Sequence, residues 1–414
     1  MSDVYRPQSE AEACEIIRHA AGVRMPLSLV GSNTRAGLGN RVEADMVVTS
    51  TGLTGVIDYD PGEMVMTAKA GTPLSDIAAL LDANAQMLAF EPVDHRGIMN
   101  TRGEPTIGGV FLSNASGPRR LSAGAARDSL LGLRFVNGRG EAIRAGGRVM
   151  KNVTGLDLVK LLAGSHGTLG FVTEVTFRVL PRPETEATIL LRHLDDAKAS
   201  EAMAAAMAQA ADVSCAANIP KALANGISDS LGTADAVTAL RLEGLSASVE
   251  VRVTSLAARL SAFAPVEVLD APTSTRLWRA VRDVAPLQAR QDRPLWRASV
   301  APTAGHRLVA ALRQFVEIDA FYDWQGGLVW LEMSGEPLAD VVRRAIASVG
   351  GGHATLVRAS DHQRSGMSAF EPEPEPVAAL SARIKGKLDP AGIFSPGRMA
   401  PVVRPKAGSM GMTG

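Results

Sequence analysis

Residues 31–39 read GSNTRAGLG, residues 106–117 read TIGGVFLSNASG, and residues 164–170 read GSHGTLG. Each stretch sets glycines beside small hydroxyl or amide residues. Backbone without Cβ atoms can approach a ligand closely and turn its N–H groups inward, while serine, threonine and asparagine add hydrogen bonds to phosphate oxygens. A dinucleotide pyrophosphate suits such a lining, although each stretch alone also suits a tight turn between strands. No Gly-x-Gly-x-x-Gly follows a strand and opens a helix, so the Rossmann fingerprint is missing.

The flanking sequence is glycine-punctuated and β-branched from Pro7 to about Pro181. Strand-like runs fall at 27–30, 46–49, 64–68 and 132–136. Helices are expected at 10–21, behind Ser9 as N-cap, and at 74–83, after the Gly71-Thr72-Pro73 turn. Strands outnumber helices without regular alternation, which reads as α+β. Past Leu180-Pro181-Arg182-Pro183 the texture changes. Strands are expected at 188–192, 239–243, 295–300, 327–332 and 354–358, and helices at 197–211, 248–260, 305–315 and 338–349. The run 371–376 alternates glutamate and proline and reads as an extended connector; 377–388 reads as a last helix and 406–414 as a tail. These signals divide the chain into a first domain at 1–183, a second at 184–366, and a connector, helix and tail at 367–414.

Composition narrows the function classes. Lysine plus arginine and aspartate plus glutamate each number 43 in 414 residues, so no net charge draws the chain to nucleic acid or an anionic membrane. The first residues lack the basic start and apolar run of a signal peptide, and no later stretch is apolar and long enough to span a bilayer, so a cytoplasmic location is expected. Cys14 and Cys215 are the only cysteines. Both read as buried, unbridged thiols, and two cannot supply the four thiolates an iron–sulfur cluster normally takes. The seven histidines show no ligand spacing for zinc or iron.

Taken in order, the motifs resemble those of flavoproteins with a vanillyl-alcohol-oxidase type (PCMH-type) FAD domain and, among them, the FAD-binding E subunits of bacterial glycolate oxidase complexes. The resemblance is carried by GSNTRAGLG, by GTPLSDIAALLDANAQMLAFEP from Gly71, by TIGGVFLSNASGPRR and by GAARDSLLGLRFVNGRGE. It continues through GGRVMKNVTGLDLVKLLAGSHGTLGFVTEVTFRVLPRP, DWQGGLVWL, GGHATLVR and KLDPAGIFSPGRM, covering nearly the whole chain. It implies a two-subdomain FAD-binding domain, a smaller α+β cap over the substrate side and a C-terminal helix. It further implies a pyrophosphate loop at Gly31, Ser32, Asn33 and Thr34, with Thr106, Gly108 and Gly109 beside the pyrophosphate and ribityl chain. Ser113 and Gly117 lie further along that wall, and Gly167, Gly170 and Val172 sit against adenosine or flavin. Val172 also reads as an ordinary strand core residue. Asn33 stands where some relatives carry an attachment histidine, so FAD is expected to be held noncovalently. Two departures concern the flavin pocket: Leu156 replaces a more usual aromatic, and Ser395 replaces an asparagine.

Other residues carry two readings each. Arg119 and Arg120 suit either the phosphate or flavin edge or surface ion pairs, and Lys151 is similarly open. His353 suits a proton acceptor for hydroxy-acid oxidation, though a structural histidine at a strand start is the stronger reading. Trp324 and Trp330 flank a Gly326-Gly327 turn and read as hairpin packing. No catalytic residue is assigned. The implied function is the FAD-binding subunit of a complex oxidising glycolate or another small 2-hydroxy acid, with a related flavoprotein subunit and an iron–sulfur subunit as partners. A self-sufficient FAD-linked oxidase or dehydrogenase and a non-catalytic flavin-binding scaffold are the alternatives.

Overall fold

The computed structural model describes residues 3–148, 155–227, 231 and 235–400. Lys151 to Val153 and the tail at 406–414 lie outside them. The chain begins with a small parallel sheet of β1 (Asp3–Tyr5), β2 (Leu27–Val30) and β3 (Met46–Thr49), ordered β1-β3-β2. The helix Glu10–Gly22 packs on it. Ser9 caps that helix by accepting from Glu12 N at 3.1 Å, and the helix buries Ala13, Ile17 and Ala20.

An antiparallel five-stranded sheet follows. It comprises β4 (Val56–Asp60), β5 (Val65–Lys69), β7 (Leu130–Val136), β8 (Ala142–Gly146) and β9 (Phe171–Arg178), in the order β4-β5-β9-β7-β8. Two short strands, β6 (Gln86–Met87) and β10 (Leu180–Pro181), pair beside it. Its apolar face buries Met66, Phe135, Val175 and Phe177 against Ile77, Phe90, Val110 and Phe111. The resulting α+β architecture brings parts of all three glycine-rich stretches together beside Val30 of β2 and Val172 of β9.

The cap is one antiparallel sheet of β11 (Thr185–Arg192), β12 (Val213–Ile219), β13 (Val237–Gly244), β14 (Val266–Leu269), β15 (Leu295–Val300), β16 (Ile318–Asp323), β17 (Leu328–Met333) and β18 (Gly352–Arg358). Their order is β14-β11-β13-β12-β16-β17-β15-β18. Because side chains alternate across a strand, the two faces carry separate cores. One face packs beneath the helices Gly305–Leu312 and Ala339–Ser348 through Trp296, Ala298, Leu308 and Val342. The other turns to the first domain, where Leu295, Phe321, Trp324 and Trp330 join Leu38, Val93 and Ile98 in a shared core. Trp324 and Trp330 therefore do pack the β16–β17 hairpin.

The end of the chain returns to the beginning. Helix Glu375–Leu388 starts two residues inside the expected connector, with Pro376 in its first turn, where a missing N–H costs nothing. Beyond it Ile393 and Phe394 bury against Leu27 and Val48. Ser395 N donates to Leu27 O, and Ser395 Oγ accepts from Leu29 N at 3.2 Å. The shorter side chain at 395 thus still reaches the strand that feeds the first glycine loop.

Candidate functional site

A cleft opens where β2 ends. Its walls include Gly31, Ser32, Asn33, Thr34, Thr106, Gly108, Gly109, Ser113, Gly167, Gly170 and Val172, brought together from all three glycine-rich stretches. Gly117 is elsewhere. Its N–H donates to Phe90 O at 2.9 Å and its carbonyl accepts from Trp324 Nε1 at 3.0 Å, which seats it in the contact between the first domain and the cap.

Local geometry explains the residue types. Asn33 adopts φ 62° and Gly167 φ 75°, left-handed conformations that asparagine and glycine tolerate. A Cβ on Gly31 would collide with Thr106 Oγ1, and one on Gly108 would come within 2.7 Å of Ala70 O. Thr106 caps the helix Ile107–Leu112 by accepting from Gly109 N at 3.2 Å, and Thr49 Oγ1 donates to Gly31 O at 2.7 Å. Val172 is buried in β9 within the sheet core, and it also borders the cleft.

Three side chains supply polarity that was not foreseen. Arg35 and Arg398 line the cleft yet spend their guanidinium hydrogen bonds on neutral acceptors: Val93 O and His95 Nδ1 for Arg35, Ala36 O and Leu38 O for Arg398. Burial pushes the Arg35 guanidinium down to about 10, against the opposing pull of Asp94, and lowers Arg398 as well. The third is His166, which burial and the charges of Arg398 and Arg35 push down to about 4, so it is neutral at physiological pH. His95 Nδ1 lies 3.3 Å from Nε of Arg35 and 3.2 Å from the carbonyl oxygen of Val93. Burial with Arg35 nearby, and Arg297 further off, lowers that imidazole to about 3. Arg35 stood inside the first quoted stretch; its position within a glycine nest was the available signal.

The cleft fits FAD on two counts. Ser32 Oγ is buried without a hydrogen-bond partner among the described residues, an arrangement that costs stability unless a ligand supplies one. Two guanidiniums that have no carboxylate partner among the described residues also line this cleft, where a pyrophosphate would neutralise them.

The remaining sequence candidates fall outside the cleft lining. Arg119 is neither a surface residue nor a cleft residue. It is buried and pairs with Glu243 of the cap, and its Nε lies 3.6 Å from Glu91. Arg120 stacks over Trp324. His353 stands exposed on β18, on the cap face turned toward the first domain. Leu156 is exposed. Cys215 is buried and Cys14 only partly so, and both are unbridged. Among the described residues there is no group of three or more metal-ligating side chains, and no helix is long and apolar enough to cross a membrane.

Comparison with known proteins agrees with this geometry. Residues 2–146 match the family model described as FAD binding domain. The fold matches p-cresol methylhydroxylase with a TM-score of 0.71 at 13% identity, over 96% of this chain and 88% of that one. It also matches alkyldihydroxyacetonephosphate synthase with a TM-score of 0.64 at 16% identity, over 95% of this chain and 76% of that one. These likenesses show the fold, and residues 2–146 carry the FAD binding domain. Among curated proteins, glycolate oxidase subunit GlcE of Escherichia coli (strain K12) is 34% identical over 386 residues, 93% of this chain and 95% of that protein. The chain belongs to the family of this subunit, within the FAD-linked oxidoreductases. Glycolate oxidase subunit GlcD of Bacillus subtilis (strain 168) is 31% identical over 188 residues, 45% of this chain and 38% of its own length.

Proposed function

We propose that this chain is the FAD-carrying subunit of a cytoplasmic glycolate-oxidising complex, and that it holds its FAD noncovalently in the cleft around Ser32. The observation that carries the reading is the convergence of the three glycine-rich stretches on one cleft whose arginines have no carboxylate partner among the described residues. Gly31, Ser32, Asn33, Thr34, Thr106, Gly108 and Gly109 would hold the pyrophosphate and ribityl region, Ser113 the wall beyond, and Gly167, Gly170 and Val172 the flanking rings. Gly117 acts from the domain contact, fixing the wall's position through Trp324. Bound FAD supplies a two-electron acceptor for the hydride of a 2-hydroxy acid.

The protein's own contributions are to bind, to orient and to exclude water. Small residues admit the cofactor backbone to backbone, Arg35 and Arg398 offset its charge, and the shared core of Phe321, Trp324 and Trp330 with Val93 and Ile98 keeps the domain junction dry. His95, held neutral by burial, adds an uncharged imidazole near that junction. Electrons leaving this chain need a relay elsewhere, because Cys14 and Cys215 cannot ligate a cluster. A related flavoprotein subunit and an iron–sulfur subunit meet that need, and the kinship to subunits named GlcE and GlcD supports such an assembly.

The test is an assay of the purified chain with glycolate, alone and then with its candidate flavoprotein and iron–sulfur partners. Quinone reduction should require the assembled mixture. A comparable rate from the chain alone would make it a self-sufficient dehydrogenase.

A further inference from the structure

Arg120 and Arg297 meet over one indole. Their guanidinium carbons lie 4.7 and 4.9 Å from the ring centroid of Trp324. Arg120 comes from the first domain, on the turn of helix Arg120–Ala123, and Arg297 from β15 of the cap. Among the described residues neither forms an ion pair.

The sheet register shows which way this pair faces. Arg297 pairs with Thr355 and Ser299 with His353, so the four side chains share one face of the cap. Leu295, two residues before Arg297 on the same face, lies in the core shared with the first domain. The apolar contact between domains therefore gives way to a polar stretch of Arg297, Ser299, His353 and Thr355, with Arg120 opposite. The charge of Arg297 is felt at His95, whose Nδ1 lies 3.3 Å from Nε of Arg35, and Arg35 lines the cofactor cleft.

Among the described residues no carboxylate forms an ion pair with either cation, and Asp128 acts on Arg120 and Asp323 on Arg297 only from a distance. Asp323 precedes Trp324 but is buried, its carboxylate accepts from Trp324 N at 2.7 Å, and burial pushes it up to about 7. Burial and then Arg120 depress the Arg297 guanidinium to about 10, with Asp323 pulling the other way. An indole face can steady a guanidinium plane while leaving its N–H fork free for a carboxylate.

We propose that Arg120 and Arg297, steadied by Trp324, form an anion subsite at the domain junction that binds the carboxylate of a small 2-hydroxy acid, with Ser299, His353 and Thr355 as its polar wall. The identity of the acid rests on the function proposed above; the anion chemistry does not. Arg120 and Arg297 come from different domains, so binding also draws cap and first domain together.

The test titrates the full-length, FAD-loaded chain with oxalate, a carboxylate that cannot be oxidised by hydride loss, following tryptophan fluorescence and flavin absorbance. A saturable response is expected, with the dissociation constant raised tenfold or more in Arg297→Met and in Arg120→Met. Arg297→Lys should recover part of that loss, since it keeps the charge without the fork. Uncharged glycolamide should give no response. FAD content and melting temperature of each variant report the fold, and Arg120→Met decides alone if Arg297→Met does not fold. Equal oxalate affinity in the parent and in the folded variants, or no saturable response in the parent, overturns the subsite. Oxalate binding that is lost in the variants while the assembled complex fails to oxidise glycolate upholds the subsite and rejects the proposed function.

Discussion

Arg241 of the cap donates two hydrogen bonds to Glu91 of the first domain, from Nη1 to Oε1 at 3.0 Å and from Nη2 to Oε2 at 2.8 Å. Arg241 also reaches Cys215 Sγ at 2.7 Å and lies 3.6 Å from Glu243, which in turn pairs with Arg119. Cap and first domain are thus tied by a buried network of alternating charge. Removing one member leaves the others desolvated and unpaired, so Arg241→Met should cost about 3–5 kcal/mol of stability. The expected result is a lower denaturation midpoint, partly restored in the Glu91→Gln/Arg241→Met double variant. Burial opposes ionisation of Glu91, but Arg241 and Arg119 outweigh it and hold the carboxyl below its ordinary 4.5. Its stabilisation is therefore present above about pH 4.5 and lost as pH falls through the depressed value.

Asp323 has the opposite sign. Its folded pKa of about 7 lies above the ordinary 3.8, so the unfolded chain releases this proton first as pH rises. Stability falls between about pH 4 and 7 and then levels, by at most on the order of 4 kcal/mol. Asparagine keeps the acceptor for Trp324 N. Asp323→Asn should therefore flatten the stability profile across that window, as read from melting temperature against pH; a slope identical to the parent's would remove the burial argument.

Ser32 separates a cofactor contact from a structural one. Deleting a buried hydroxyl that has no partner should leave the stability of the apo-protein unchanged or slightly raised, because an unsatisfied group is removed. If Ser32 Oγ meets FAD, Ser32→Ala weakens FAD binding by roughly tenfold, equivalent to about 1.4 kcal/mol. Flavin fluorescence titration of the apo-protein gives both parent and variant constants.

Gly109 tests the shape of the cleft. A Cβ there meets Thr106 Oγ1 at 3.1 Å and Arg35 Nη1 at 3.5 Å, both side-chain atoms, whereas at Gly108 it would meet backbone. Gly109→Val should therefore keep the fold and lower FAD occupancy, since the branched side chain fills space a ligand needs. Full occupancy in a folded Gly109→Val protein would remove this wall from the site.

Much of this architecture was legible in the sequence where local chemistry decides it. Strands at 46–49 and 295–300 appear at those bounds, and Ser9 caps the first helix as its side chain suggested. The lining of the cleft was readable because glycine and asparagine leave a conformational signature. β12 escaped notice because VSCAANI is buried on both faces, which erases the alternation that marks a half-exposed strand. The helix Ala271–Arg282 did carry a signal, Asp270 as N-cap and Pro272 in its first turn. Adjacent arginines could not be told apart: Arg119 enters the buried network and Arg120 the Trp324 face, a divergence set by partners more than a hundred residues away. The common face of Arg297 and His353 likewise emerges only from the pairing of β15 with β18.

The central claim is that the cleft around Ser32 holds FAD without a covalent bond. Its most direct measurement is the absorbance spectrum of the purified chain, followed by acid precipitation and assay of the supernatant. The account predicts a flavin spectrum at about one FAD per chain, all of it released into the supernatant as FAD. Flavin retained in the pellet would contradict the noncovalent cleft, and a chain that stays colourless after incubation with FAD would contradict the cofactor site itself.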